Sequence, residues 1–223
     1  MTAYRAVNPY TNEPIREYAQ HDDAYVERAL VAAHALYRSA WAQEDLDARR
    51  AVLARIGHLL RDRAEDIART MTLEMGKLIG ESLGEIGLCA SIADHYAEHG
   101  QWLLEATPYE TALGCASVEY RPTGVIVAVE PWNFPIYQLI RVLAPNLLLG
   151  NPVLLKHSEL VPGCAQAFER LVADARAPAG AYANLFITHD QVAGLIDDDR
   201  VQGVALTGSE RAARRSHRLP GVR

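Results

Sequence analysis

Asn133 stands between Trp132 and Phe134, and the triplet is bracketed by Pro131 and Pro135. An amide at a turn holds oxygen atoms, and the NH₂ of Asn133 could donate to an oxyanion developing on a substrate. The bland use of the same amide is to satisfy the backbone of its own turn. The elements on either side bear on that choice. The run Gly124–Glu130 reads Gly-Val-Ile-Val-Ala-Val-Glu, β-branched and without alternation, hence a strand buried on both faces. Ile136–Leu149 reads as a helix, and the two prolines fix the turn between strand and helix. Strand-to-helix turns are where α/β folds set ligand and catalytic groups.

The rest of the chain supplies the frame. Residues from about Asp22 to Ala106 predict consecutive helices: Val52, Ile56, Leu59 and Leu60 recur at helical spacing, then Ile67, Met71 and Met75. These stripes are core packing, and Asp45 suits an N-cap. A further helix is expected over Glu81–Glu105. Strands are expected near Ala116–Arg121, Gly124–Glu130, Val153–Lys156, Leu185–Thr188 and Val201–Leu206. The intervening helices are expected near Ile136–Leu149, Gly163–Ala175 and Gln191–Ile196. That alternation implies parallel βαβ units, so the fold class is α/β.

The chain has 223 residues, 49% hydrophobic, with a formal net charge of −6. An acidic balance argues against general nucleic-acid binding. No apolar run approaches a membrane span and the N-terminus lacks a signal-peptide core, so the cytoplasm is the expected location and no membrane partner is expected. Three unpatterned cysteines give neither a disulfide framework nor zinc spacing, and no metal site is expected. Lys77 and Lys156 are the two lysines, which makes each conspicuous in its local motif.

Pro131-Trp132-Asn133-Phe134-Pro135 resembles the signature of the aldehyde dehydrogenase superfamily. Similar segments are Asn8–Pro14, Leu73-Glu74-Met75-Gly76-Lys77, Tyr120-Arg121-Pro122-Thr123-Gly124, Leu154–Glu159 and Thr207-Gly208-Ser209. The resemblance runs to about Ala212. It implies an N-terminal helical part (1–106), an oligomerisation hairpin (107–123) and an incomplete Rossmann-like sheet (124–212). It also implies binding of NAD, or NADP, without a Gly-x-Gly-x-x-Gly loop, and none occurs here. By resemblance, Lys156 and Glu159 contact the adenosine ribose, with Ser158 between them. Gly208 and Ser209 face the pyrophosphate, Trp132 lies near the cofactor, and Asn133 is the oxyanion-hole amide. A glutamate at 159 accepts from both ribose hydroxyls and repels a 2′-phosphate, which favours NAD. Outside the motif, Lys156 and Glu159 would read as a surface ion pair and Ser209 as a plain N-cap.

Arg141 lies six residues after Pro135. In the succinate-semialdehyde branch of the superfamily an arginine there holds the distal carboxylate of the aldehyde substrate, as a guanidinium fork can. A lone arginine on a helix is otherwise a solvated face. The superfamily's nucleophilic cysteine and base glutamate lie in Gly-Gln-x-Cys and Glu-Leu-Gly-Gly contexts, and neither occurs in this sequence. Cys89, Cys115 and Cys164 read instead as buried structural thiols.

The stretch Ala213–Arg223 is rich in Arg, Pro and Gly, where a small apolar helix is expected. It reads as out-of-frame translation rather than a basic tail for an anionic partner. The expectation is therefore a chain of aldehyde dehydrogenase lineage that lacks the catalytic domain and the hairpin's pairing elements, without turnover alone. A non-catalytic module that binds nucleotide or associates with another chain is the rival.

Overall fold

The computed structural model describes residues 4–208. The chain opens on a hairpin, β1 (Tyr4–Val7) and β2 (Pro14–Tyr18), followed by α1 (Asp23–Tyr37), α2 (Ala40–Gln43), α3 (Leu46–Asp62), α4 (Ala64–Met75) and α5 (Ile79–Leu103). A second hairpin comprises β3 (Thr107–Thr111) and β4 (Gly114–Val118). Then come β5 (Val125–Glu130), α6 (Tyr137–Leu149), β6 (Val153–His157), α7 (Pro162–Asp174), β7 (Tyr182–Asn184), α8 (His189–Ile196) and β8 (Val201–Leu206). Side chains set the helix starts: Asp22 accepts the N–H of Tyr25 at 2.7 Å, and Asp45 that of Ala48 at 2.9 Å.

The sheet is parallel, in the order β7-β6-β5-β8. Chain direction along the sheet therefore reverses at β5, with β6 on one side and β8 on the other. Alternate residues of the central strands feed two cores. Ile126, Ala128, Val153 and Leu155 pack with helices α3 to α7, while Val125, Val127 and Leu154 pack with α1 and α8. Burial on both faces is why these strands read as unbroken apolar runs. Met71 is fully buried in the larger core, as its helical stripe implied.

Two strand boundaries differ from expectation. The edge strand forms at Tyr182–Asn184 rather than Leu185–Thr188: its register with β6 ends at Asn184 opposite Leu155, and the N–H of Leu185 adds one last bond to the Leu155 carbonyl at 2.7 Å. Phe186 then turns to His21, whose N–H it accepts at 2.8 Å. The strand expected at Ala116–Arg121 is β4, which begins earlier at Gly114 and pairs antiparallel with β3 through a tight loop. Every residue of this hairpin is exposed, so Cys115 is exposed too, contrary to the buried thiol expected. Cys89 and Cys164 are buried, and burial raises both thiols well above the usual range. No helix among the described residues is long and apolar enough to cross a membrane. Ser209 and the stretch 213–223 lie outside the described residues.

Candidate functional site

The reversal of strand order at β5 opens a crevice at the carboxyl ends of β5 and β8, the topological switch point where open α/β sheets take ligands. Glu130 pairs in register with His157, so the Trp132 turn and the Ser158–Glu159 segment leave the same edge. On the other side the N–H of Thr207 donates to the carbonyl of Val129 at 3.1 Å, bringing Thr207 and Gly208 to that edge as well. Trp132, Asn133, Lys156, Ser158, Glu159 and Gly208 are thus gathered at one end of the sheet.

The Asn133 turn is held from three directions. His157 is fully buried, with Nδ1 3.1 Å from the carbonyl of Glu130 and Nε2 2.9 Å from that of Pro135, so one ring spans the two ends of the turn. Glu85 of α5 reaches across the core, and its Oε1 accepts the N–H groups of Ile136 and Tyr137, each at 2.9 Å. These are orphan donors at the start of α6, where a carboxylate is favourable. Lys77 pairs with the other oxygen of Glu85 and lies 3.9 Å from the centroid of the Phe134 ring. The clamp leaves Trp132 45% exposed and Asn133 exposed, with no hydrogen-bond partner for the Asn133 amide among the described residues. The amide therefore does not serve its own turn.

Lys156 is the penultimate residue of β6, 5% exposed, and its ammonium lies 5.5 Å from the centroid of the Tyr4 ring of β1. Burial lowers its pKa. Its two acceptors are distant, the carbonyl of His157 at 3.3 Å and Glu159 Oε1 at 3.5 Å. A buried ammonium so loosely held keeps donor capacity for a hydroxyl or phosphate oxygen. Glu159 is exposed beside it, and Gly208 presents backbone without a side chain. These residues fit a dinucleotide laid along the sheet edge. Ser158 is different: its hydroxyl accepts the N–H of Leu160 at 3.3 Å and shapes the loop.

Arg141 projects from α6 toward the end of β8, donating to the hydroxyl of Thr207 and lying 3.7 Å from Glu130 Oε2. With Ser91, Ile92, His95 and Tyr96 of α5 it lines a cleft of about 340 Å³. A half-exposed guanidinium at a cleft of that size suits a small carboxylate. Among the described residues, no group of three or more His, Cys, Asp or Glu could hold a metal ion.

Sequence reading missed the supports. Glu74 and Lys77 sit in the Leu73–Lys77 segment, and both prove to act at helix starts. Glu74 accepts the N–H groups of Gly163 and Cys164 at 2.7 and 2.9 Å, as Lys77 braces Glu85. The scarcity of lysine was the available signal for Lys77. For Glu85, on a long amphipathic helix, there was none.

The aldehyde dehydrogenase family profile matches residues 1–221, past Ala212. The NADP(+) succinate-semialdehyde dehydrogenase of Deinococcus radiodurans is 43% identical over 218 residues, covering 98% of this chain and 46% of that protein. The NAD(P)+ succinate semialdehyde dehydrogenase of Escherichia coli K12 is 41% identical, covering 93% and 45%. The crystal structure of a Streptococcus pyogenes succinic semialdehyde dehydrogenase in complex with NADP+ superposes with a TM-score of 0.95 at 46% identity, covering 98% of this chain and 48% of that one. The chain spans about half the length of the curated relatives it matches. Switch-point sheet, clamped Asn133 turn and a profile match over nearly every residue lead to one conclusion: this chain belongs to the aldehyde dehydrogenase family.

Proposed function

We propose that the chain forms the dinucleotide-holding half, with a substrate-carboxylate arm, of an enzyme that oxidises succinate semialdehyde to succinate. The observation that carries this reading is Arg141, set in a small cleft on the helix that follows the Asn133 turn. An arm of two methylene carbons separates carboxylate from aldehyde in that substrate, so one end can rest on Arg141 while the other approaches Asn133. Asn133 donates to the aldehyde oxygen as it gains charge. Lys156 and Glu159 hold the adenosine ribose, with Trp132 and Gly208 beside the cofactor. When bound, the dinucleotide supplies the hydride acceptor.

The cofactor is NAD(P), and the preference for NAD drawn from Glu159 finds no support in the relatives, named for NADP(+) or NAD(P)+. The Glu159 side chain is 54% exposed and, among the described residues, paired with Lys156 alone, so it can swing away from a 2′-phosphate that the same lysine would then meet. Residues 1–106, 107–123 and 124–212 serve as helical support, association hairpin and cofactor sheet.

Neither Glu-Leu-Gly-Gly nor Gly-Gln-x-Cys stands in this sequence, and the buried thiols of Cys89 and Cys164 are poor nucleophiles. The 223 residues alone therefore bind dinucleotide without turning over. Titration calorimetry with NADP+ and NAD+, beside a reduced-cofactor absorbance assay with succinate semialdehyde, tests this. Absence of binding by either cofactor, or turnover above buffer, overturns it. The fully exposed hairpin β3–β4 favours a second reading, a non-catalytic part that associates with another chain. Sedimentation of the chain against a variant lacking residues 107–118 tests that reading.

A further inference from the structure

Glu130 is a buried acid that the proposed reaction leaves unused. It closes β5 at the carboxyl edge of the sheet, its side chain has no exposure, and neither carboxylate oxygen has a hydrogen-bond partner among the described residues. A carboxylate in that condition is costly unless a cation stands near or a proton neutralises it. Arg141 is the near cation: its Nη2 lies 3.7 Å from Oε2, and the same nitrogen donates to Thr207.

The other charged and titratable groups around this point are committed elsewhere or face the cleft. His157, the cross-strand neighbour on β6, sets its two ring nitrogens against the carbonyls of Glu130 and Pro135, and the neutral ring donates to one of them. Lys156, next along β6, points to the opposite face and pairs with Glu159. Tyr182 of β7 packs against the same core with its hydroxyl unpartnered. From α5, Ser91, His95 and Tyr96 line the cleft beside Arg141. Arg141 thus has two faces, one toward a buried carboxylate and one toward a cleft 44% open to solvent at the arginine itself.

We propose that Glu130 is the internal counter-ion of Arg141 and takes up one proton from solvent when a ligand carboxylate occupies Arg141. This rests on the reading of Arg141 as a carboxylate site. Two carboxylates cannot both draw full stabilisation from one guanidinium, and the desolvated one yields its charge. Burial already raises the Glu130 carboxyl to about 7, with the charge of Arg141 pulling it back down. A ligand that screens Arg141 removes part of that pull, so binding raises the carboxyl further and draws a proton in. Ligand affinity must then fall as pH rises above about 7, by at most tenfold or so per pH unit.

Succinate is the probe, titrated calorimetrically into the 223-residue chain in two buffers of different ionisation enthalpy. The expected result is fractional proton uptake with the wild type, none with Glu130→Gln, and undiminished uptake with His95→Gln. Succinate binding by the wild type without uptake overturns the proposal, even if Glu130→Gln fails to fold. Uptake that persists in a folded Glu130→Gln chain, or vanishes in His95→Gln, overturns it too. No succinate binding by the wild type, or binding unchanged in Arg141→Lys, overturns instead the Arg141 reading on which it stands.

Discussion

Glu85 accepts the N–H of Tyr137 at 2.9 Å across 52 positions of sequence, which ties the middle of α5 to the first turn of α6. The same oxygen takes the N–H of Ile136, and the other oxygen holds Lys77. Both side chains of the pair are nearly inaccessible, at 9% and 2%. Glu85→Ala would strand a buried ammonium and two helix donors at once, for which a loss of about 3–5 kcal/mol is expected. Glu85→Gln keeps an acceptor for the α6 donors and should cost less. Urea unfolding of the two variants checks the order, and equal losses would mean that the ion pair, not the helix start, sets the cost.

Lys156 is held in a place that suits a ligand better than it suits the fold. Its ammonium is desolvated and its acceptors lie at 3.3 and 3.5 Å. Lys156→Met should leave stability unchanged or higher, since an apolar chain of similar length removes the burial cost. Dinucleotide affinity should fall by about tenfold or more through loss of a charged hydrogen bond. Paired denaturation and NADP+ titrations decide it: reduced stability with unchanged affinity would make Lys156 a structural residue.

Gly150 ends α6 with φ +103°, in the left-handed region, and an added Cβ would fall 2.2 Å from the carbonyl oxygen of Ala42. Gly150→Ala meets both a conformational penalty and a backbone it cannot displace cheaply, so a loss of about 2–4 kcal/mol is expected. Chemical denaturation measures it. A loss below about 1 kcal/mol would show that the α2 backbone yields.

The elements were legible where pattern and burial coincide. Val125–Val129 and Val153–Leu155 are apolar throughout because both faces are covered, and Asp45 is a cap in sequence and structure alike. Legibility failed where distant chain decides the outcome. Leu185–Thr188 has strand composition, yet the chain leaves β6 once the N–H of Leu185 has bonded Leu155, and the Phe186 carbonyl goes to His21. The apolar content of the β3–β4 hairpin says nothing of its exposure, which left Cys115 misjudged. At the candidate site, the residues proposed to contact cofactor and substrate stand in contiguous motifs. Those that brace them, Glu85 and His157 above all, act across long sequence separations through side-chain hydrogen bonds to backbone. Periodicity carries no record of such pairs.

Glu130 and His157 face each other across β5 and β6 with opposite pH dependence. Burial lowers the His157 ring to about 4, below its ordinary 6.5, so the unfolded chain binds that proton first. Its effect is stability lost as pH falls from 6.5 toward 4. Burial raises Glu130 from its ordinary 4.5 to about 7, so the folded chain binds that proton first, and stability is lost as pH rises through that window. The two slopes oppose each other between about pH 4.5 and 6.5, and the pair contributes little net pH dependence there. Glu130→Gln removes one slope and exposes the other. The variant should match or exceed the wild type in stability near pH 7.5 and lose up to about 3 kcal/mol relative to it on acidification toward pH 4.5. Denaturant midpoints collected at half-unit steps follow this difference directly. Parallel curves for wild type and variant would place the Glu130 carboxyl at its ordinary value and remove the opposition between the two strands.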